Sequence, residues 1–289
     1  MTEQGLPGLP GLPGPPALRA HGPEVAAAKA RRWGAFYFAE QVLRVMKNYG
    51  WSILMYSVGQ PVAYLFAMGV GLATLVDGQG AAAFGGVSYL TFIAPALLVS
   101  AAVMTAANEF TFPVMAGFKW RRTYFGPHAS PLTPAQIAAG HIMAVTLRLL
   151  LQSAVYFAAV ALFGAAPSGG AWAGILVATL SGLAFGLPLM AYSASITEDK
   201  GQFALVMRLI VMPLFLFSGT FFPLDTLPLA VRWIGWISPI WHGTELGRVA
   251  SYGYQEPPLL TLVHVAVLAA LAVAGWVLTR RRFAARMGQ

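Results

Sequence analysis

The feature that most constrains this chain is a succession of six apolar blocks, each close to 20 residues long. They cover residues 51–75, 88–107, 141–164, 171–194, 203–222 and 259–279, and the third helix as a whole is predicted to cover 134–164. At a rise of 1.5 Å per residue, about 20 residues cross the roughly 30 Å hydrocarbon core of a bilayer. The pattern predicts an all-α membrane protein with six transmembrane helices.

The composition agrees with lipid as the surrounding solvent. Only 10% of the residues are charged and 57% are hydrophobic, whereas soluble domains carry roughly 25% charged residues. The net charge of +8 could suggest a nucleic-acid partner. We expect none, because the basic residues flank apolar blocks instead of lining one polar face. With no cysteine, the chain cannot form a disulfide or a thiolate metal site.

The positions of the basic residues predict the topology. Most of the 18 Lys and Arg residues precede the first block, separate the second from the third, or follow the sixth. Cytoplasmic loops carry the excess of Lys and Arg. An even number of spans then places both termini in the cytoplasm, and we expect a multi-pass protein of the cytoplasmic (inner) membrane.

Two segments outside the spans complete the predicted layout. Residues 1–32 include four Gly-X-Pro-like triplets and are interpreted as a flexible Gly/Pro-rich cytoplasmic tail. Residues 33–49 are apolar on one helical face and carry Glu40 and Arg44 on another, which is typical of an amphipathic helix at the membrane interface. A helix packed on another domain is the alternative. The predicted membrane domain covers residues 33–283.

The cytoplasmic loop 108–140 is longer than its neighbours. Thr133 can cap a helix that starts with Pro134, and Gln136 completes a capping box, so the third span should begin there. Before it, Met115 to Phe125 predicts a short helix with aromatic and basic side chains on its surface. These are Phe118, Trp120, Arg121, Arg122, Tyr124 and Phe125. Such a set suits either protein docking or an interfacial anchor.

The outer segment 223–258 contains two apolar pieces that are too short to span, interrupted at Ser238-Pro239. They predict a re-entrant helical hairpin after the fifth span. Glu245 and Arg248 are three positions apart and could pair on one helical face. Such a pair is worth a few tenths of a kcal/mol if it is exposed.

No motif for covalent chemistry is evident. The sequence has no GxxxxGK[ST] loop and no GxSxG elbow, and His242 with Glu245 has no third metal ligand nearby. We expect no catalytic residue, bound cofactor or metal in this chain. Arg148 and Arg208 lie within spans and are candidate functional charges. No Asp or Glu lies deep in a span, which argues against transport coupled to protons or sodium ions. An energy source outside this chain is therefore expected.

Three stretches carry a resemblance to a known family. They are Arg122–Phe125 with Ser130–Pro134 through Ile137 and Gly140, then Phe217–Pro223 through Leu227-Pro228, and Ser238-Pro239 with His242 and Glu245–Arg248. With the six spans and the interface helix, they resemble the ABC-2 type permeases. These are membrane subunits of type V ABC exporters. The chain is most similar to the permeases of nodulation-factor and daunorubicin-type exporters.

The resemblance implies a homodimer, or a pair with a close paralogue, above two separate ATPase subunits that bind ATP and Mg. Met115–Phe125 becomes the coupling helix that contacts the ATPase. Spans one, two and five line the substrate path, and their aromatic residues contact substrate, although helix packing or lipid contact would explain each of them too. These residues are Tyr56, Tyr64, Phe66, Phe92, Phe215, Phe217, Phe221 and Phe222.

The function expected from this resemblance is export of an amphipathic molecule, such as a hydrophobic drug, glycolipid or lipo-oligosaccharide. A polysaccharide-export permease is the alternative within the same class. An integral membrane enzyme acting on lipids through His242 and Glu245 is the alternative from another class. A passive channel would need polar or charged rings in the spans, and these are not evident.

Overall fold

The computed structural model describes residues 23–73, 84 and 86–288, and every regular element within these ranges is a helix. This confirms the all-α prediction for that part of the chain. The helices are α1 (Pro23–Lys47), α2 (Gly50–Phe66), α3 (Tyr89–Glu109), α4 (Phe112–Lys119), α5 (Pro134–Leu162), α6 (Ala173–Ser195), α7 (Gln202–Phe217), α8 (Leu229–Trp236), α9 (Pro239–Tyr252) and α10 (Pro258–Met287). Single turns form at Phe125–His128 and Leu224–Thr226.

Four helical stretches of the described chain are long and apolar enough to cross a membrane. They are Tyr89–Lys119, which joins α3 and α4, and the helices α5, α6 and α10. The first predicted span is helical as far as it is described, through residue 73, and the fifth is helical only to Phe217, so its predicted end at residue 222 is wrong. Each contains a π-helical segment, at Ala67–Leu72 after α2 and at Met207–Val211 within α7. The count of six spans therefore stays a prediction.

The amino-terminal helix is longer than predicted. α1 begins at Pro23, not near Trp33, so the expectation of a flexible tail through residue 32 is wrong for residues 23–32. Proline suits the first helical turn and Glu24 complements the positive end of the helix dipole. The alanine-rich stretch that follows favours a helix. Residues 1–22 of the predicted tail lie outside the described residues.

The centre of the bundle is α3, which is buried along nearly its whole length. α6 and α9 pack on it, and α10 packs on α6. The contact between α10 and α6 is close because Gly275 lies against Pro188, where an added Cβ would be 2.5 Å from the proline ring. α2 and α7 lie at the edges, with α7 packed mainly on α3 and α8.

The helix α1 packs on α5. Thr133, Pro134 and Gln136 start α5 with the predicted capping box. The Gln136 side-chain amide also donates a 2.6 Å hydrogen bond to the carbonyl of Arg31 in α1. The same residue therefore caps α5 and holds α1 beside it.

Candidate functional site

The segment after α4 presents an exposed surface, which we call the docking surface: Trp120, Arg121 and Arg122. Trp120 is 49% exposed and both arginines are exposed. α4 ends at Lys119, earlier than the predicted Phe125. Arg122 has a φ of 50°, in the left-handed region that non-glycine residues rarely adopt. This conformation turns the chain sharply after the helix.

The prediction that all six aromatic and basic residues lie on the surface is wrong for Phe118 and Tyr124. Their rings are buried with centroids 4.7 Å apart, and the Phe283 ring of α10 lies edge-on to both at 4.8 and 5.2 Å. Phe125 is partly exposed, with the Arg122 guanidinium over its ring. Apolar ring area favours burial, so these rings anchor the docking surface to the end of α10.

Next to these buried rings lies a cluster of polar side chains that the sequence did not reveal. Arg148 donates a hydrogen bond to Glu109 at the end of α3, and the two side chains are only 19% and 15% exposed. The Tyr124 hydroxyl contacts Nδ1 of His141 at 3.2 Å. Burial raises the pKa of Tyr124, so this hydroxyl stays protonated. All four side chains border one cavity of about 380 Å³ beside α1.

The aromatic residues predicted to line the substrate path lie at several different places in the structure. Tyr64 and Phe215 line a narrow space of about 60 Å³ enclosed by α2, α3, α5 and α7, and the Phe221 ring lies edge-on to Phe215 at 5.2 Å. Phe66 is 60% exposed, whereas Phe92 is buried elsewhere in the core. The side chain of Tyr56 lies outside the described residues. Two further residues, Phe217 and Phe222, are partly exposed.

The edge helices α2 and α7 present wide apolar surfaces. Trp51 and Leu54 project from α2, and Leu205 and Leu209 project from α7, each between 44% and 72% exposed. Arg208, the second predicted intramembrane charge, is also exposed on α7. These faces have no protein partner within the described part of the chain, so lipid or another chain covers them.

At the other end of the bundle, the predicted pair of Glu245 and Arg248 forms at 2.7 Å. It is buried, not exposed: the Arg248 side chain is 3% exposed and its guanidinium lies 3.8 Å from the centre of the Phe92 ring. Arg248 also donates a 2.7 Å hydrogen bond to the Gly219 carbonyl. It thereby joins α9, α3 and the segment after α7.

A second polar contact holds α9 to α10. Nδ1 of His242 lies 2.6 Å from Nδ1 of His264, and Nε2 of His242 contacts the Trp236 carbonyl at 3.0 Å. Burial, together with His264, lowers the pKa of His242 to about 4. The contacts with His264 and with the Trp236 carbonyl involve both ring nitrogens of His242. The described residues contain no group of three His, Cys, Asp or Glu that could hold a metal ion.

The sequence model of the family described as "ABC-2 type transporter" matches residues 38–252, which is most of the chain. The chain belongs to the ABC-2 type transporter family. It is accordingly an integral membrane protein and the membrane subunit of an ABC transporter. The family implies a separate ABC ATPase as the partner.

Relatives of this ABC-2 chain include proteins named Nodulation protein J. The one from Rhizobium leguminosarum bv. viciae is 26% identical over 216 residues, which are 73% of this chain and 79% of the relative. The one from Rhizobium meliloti (strain 1021) is 24% identical over 259 residues, 88% of this chain and 94% of the relative. The similarity thus extends over most of both chains.

The family assignment gives the exposed side chains of this ABC-2 subunit a context. The docking surface consists of exposed aromatic and arginine side chains, which are residue types enriched in protein interfaces. Glu109 and Tyr124 were not found as partners from sequence, because their contacts join positions 39 and 17 residues away.

Proposed function

We propose that this chain is the permease of an ATP-driven exporter for an amphipathic molecule, such as a hydrophobic drug, a glycolipid or a lipo-oligosaccharide. It works as a homodimer, or with a close paralogue, above two ATPase subunits that bind ATP and Mg. Each permease has six spans and both termini in the cytoplasm. The observation that carries this proposal is an exposed docking surface anchored by buried rings to a helix that could cross the membrane.

The buried rings of Phe118, Tyr124 and Phe283 would transmit movements of the ATPase to the spans. A displacement of Trp120 or Arg121 moves α4, whose Phe118 packs on Phe283 at the end of α10. Close-packed interiors transmit such movements because they have little free volume. ATP binding then biases the spans between two arrangements, as ligands bias other two-state proteins.

The substrate path in this proposal runs beside α2 and α7. Their exposed apolar faces suit the acyl or ring portion of an amphipathic molecule. A π-helical segment follows α2 directly and another lies within α7, and such segments are frequent at functional sites. Tyr64 and Phe215 line a narrow space beside these helices, and Phe221 packs edge-on against Phe215. These three are the aromatic residues that we assign to substrate contact.

The test is co-purification with a candidate ATPase encoded beside this chain, followed by ATP hydrolysis in nanodiscs. The wild-type chain should form a stable complex in which amphipathic molecules stimulate hydrolysis. The combined variant Trp120→Ala, Arg121→Ala and Arg122→Ala should lose the complex or the stimulation. The matched control replaces Arg280, Arg281 and Arg282, which are exposed near the end of α10, with alanine.

Retention of the complex in the control variant and its loss in the docking-surface variant would support the proposal. Unchanged transport and stimulation in the docking-surface variant would contradict the assigned ATPase contact. A chain that purifies without any nucleotide-hydrolysing partner would contradict the proposed function itself.

A further inference from the structure

Two cavities adjoin beside α1, and the function proposed so far uses neither of them. The first, of about 380 Å³, is the cavity at the polar cluster that contains Arg148. The second, of about 280 Å³, lies between the end of α1, the start of α2 and the middle of α5. Met46, Ile53 and Arg148 border both cavities, so the two form one space, which we call the α1 groove.

The end of the α1 groove next to α4 is basic. Arg121 borders it, is exposed, and forms no ion pair within the described part of the chain. Arg148 donates a hydrogen bond to Glu109, and its side chain is 19% exposed. A guanidinium has five N–H donors, so Arg148 can donate to a second acceptor that enters the groove. Lys47 adds a third cation at the end of α1, and His141 adds no negative charge. The wall formed by the described residues therefore favours an anion.

The other end of the α1 groove is apolar and follows the spans. Leu54 of α2 and Leu151 of α5 border it and are 44% and 61% exposed. Val155 continues the same wall, roughly 10 Å further along α5 than Arg148. Because α5 is long and apolar enough to cross a membrane, the hydrocarbon chains of a bilayer lie against this part of the groove.

The two ends of the α1 groove together discriminate between classes of ligand. A small soluble anion would leave the apolar end unfilled. A wholly apolar molecule would displace water from Arg121 and Arg148 without offering an acceptor, which is costly for charged donors. A zwitterionic lipid would bring its cationic group close to Lys47 and Arg121. An anionic lipid matches both ends.

We propose that the α1 groove binds an anionic phospholipid of the bilayer, with its phosphate between Arg121 and Arg148 and one acyl chain between α2 and α5. Arginine suits phosphate because it can donate two parallel hydrogen bonds. Basic pockets between transmembrane helices on the cytoplasmic side bind phospholipid headgroups in other membrane proteins.

This lipid is a bound partner of the chain and not its transported substrate. The α1 groove shares no lining residue with the narrow space at Tyr64 and Phe215 that we assign to substrate contact. The inference therefore goes beyond the proposed export function. It takes from that proposal only the orientation, in which the docking surface faces the cytoplasm.

The experiment is photolabelling of the full chain, purified without an ATPase, in nanodiscs. The nanodiscs consist of phosphatidylcholine with a small, limiting fraction of phosphatidylglycerol that carries a diazirine on one acyl chain. We expect labels around Leu54 and Leu151, located by mass spectrometry of peptides. Unlabelled phosphatidylglycerol should suppress this labelling, although phosphatidylcholine is present in large excess throughout.

Two variants test the two ends of the α1 groove. Ile53→Trp puts a larger side chain where the cavities adjoin and should remove most of the labelling near Leu151. Met55→Trp, at a position that is 46% exposed on α2 and outside the groove, is its matched control. Arg121→Gln changes an exposed position, so the fold is retained, and labelling should fall about 5-fold, the effect of one basic residue near an anionic headgroup. Arg280→Gln, exposed near the end of α10, is the control for charge and should label as the wild type does.

Equal labelling of Leu151 and of Val273, which is 62% exposed on α10, without suppression by unlabelled phosphatidylglycerol would show only unspecific surrounding lipid and would overturn the site. Wild-type labelling in Ile53→Trp or in Arg121→Gln would overturn it as well. The measurement does not involve the ATPase. If the labelling fails while amphipathic molecules still stimulate ATP hydrolysis by the permease–ATPase complex, the proposed export function stands and only this inference fails.

Discussion

Glu109 and Arg148 form a mostly buried ion pair between α3 and α5. Glu109→Gln keeps the shape but removes one charge, which leaves the Arg148 guanidinium without its counter-ion. We expect a loss of about 1–3 kcal/mol in the free energy of unfolding, because an unmatched charge in a poorly hydrated site is costly. Thermal unfolding of the purified chain in detergent measures this loss.

The exposed pair of Glu40 and Arg44 in α1 provides the matched control, since its side chains are 56% and 77% exposed. Glu40→Gln should cost no more than about 0.5 kcal/mol. Replacing both members of the buried pair, with Glu109→Leu and Arg148→Met, should restore part of the lost stability. Equal effects of Glu109→Gln and Glu40→Gln would contradict the burial argument.

His242 predicts a dependence of stability on pH. Its pKa falls from 6.5 to about 4 on folding, so between these values the unfolded chain binds a proton that the folded chain does not. The contribution of His242 to stability is therefore constant above about pH 6.5 and is lost as the pH drops from 6.5 towards 4. His264 and Glu256 lie in the same cluster, and both are kept when only His242 is replaced.

Melting temperatures at pH 7.5 and pH 5.0 test this prediction. His242→Gln should reduce the difference between the two temperatures, whereas His128→Gln, in the single turn after Tyr124, should leave it unchanged. The same pH difference in wild type and His242→Gln would show that other groups cause it.

At the scale of helices, the attachment of α1 to α5 depends on Gly140. A Cβ at this position would lie 2.4 Å from the Ala35 carbonyl oxygen and 2.8 Å from Cβ of Phe38. Gly140→Ala should therefore push α1 away from α5, at a cost of about 1–3 kcal/mol typical of overpacking. Faster trypsin cleavage at Arg44 and other basic residues of α1 is the expected result.

Gly59→Ala in α2 is the control for this helix contact, because no heavy atom would lie within 4 Å of the added Cβ. It should leave the cleavage rate unchanged. A Gly140→Ala variant with wild-type cleavage and wild-type stability would contradict the close contact between the two helices.

Much of the element pattern could be predicted because its signals are local. Thr133, Pro134 and Gln136 lie within four positions, and their capping box forms as predicted. Likewise, Ser238-Pro239 separates α8 from α9 as expected from its turn residues. Capping and turn preferences act between neighbours in sequence, so a single sequence contains the information needed.

The contacts that were missed are those between distant segments. No spacing links Glu109 with Arg148, or Phe118 with Phe283, because these pairs form only when helices pack. The docking segment shows the same difficulty. Its composition suggested one exposed helix, but the rings of Phe118 and Tyr124 find partners in α10 and become buried.

For the whole molecule, the proposed dimer can be tested because the chain has no cysteine. Leu209 on α7 and Leu262 on α10 are similarly exposed, at 68% and 63%. α7 has little packing within the chain, so we expect its apolar face to meet the second copy. Leu209→Cys should form a disulfide-linked dimer in native membranes on mild oxidation, and Leu262→Cys should not.

Gel electrophoresis without reductant gives the result, and addition of reductant should return the monomer band. Crosslinking through Leu262→Cys alone would place the dimer contact on α10 and contradict the assignment of α7. Crosslinking at neither position, with the chain intact in the membrane, would contradict a dimer through α7.

The hydrogen bond from Gln136 to the Arg31 carbonyl has a consequence for synthesis of the chain. Its two partners are 105 residues apart, and ribosomes add about 5–20 residues per second. Roughly 5–20 s therefore pass between the synthesis of Arg31 in α1 and the synthesis of Gln136 in α5. During that interval α5 cannot cover the apolar side of α1, so this side stays exposed to its surroundings until α5 has been made.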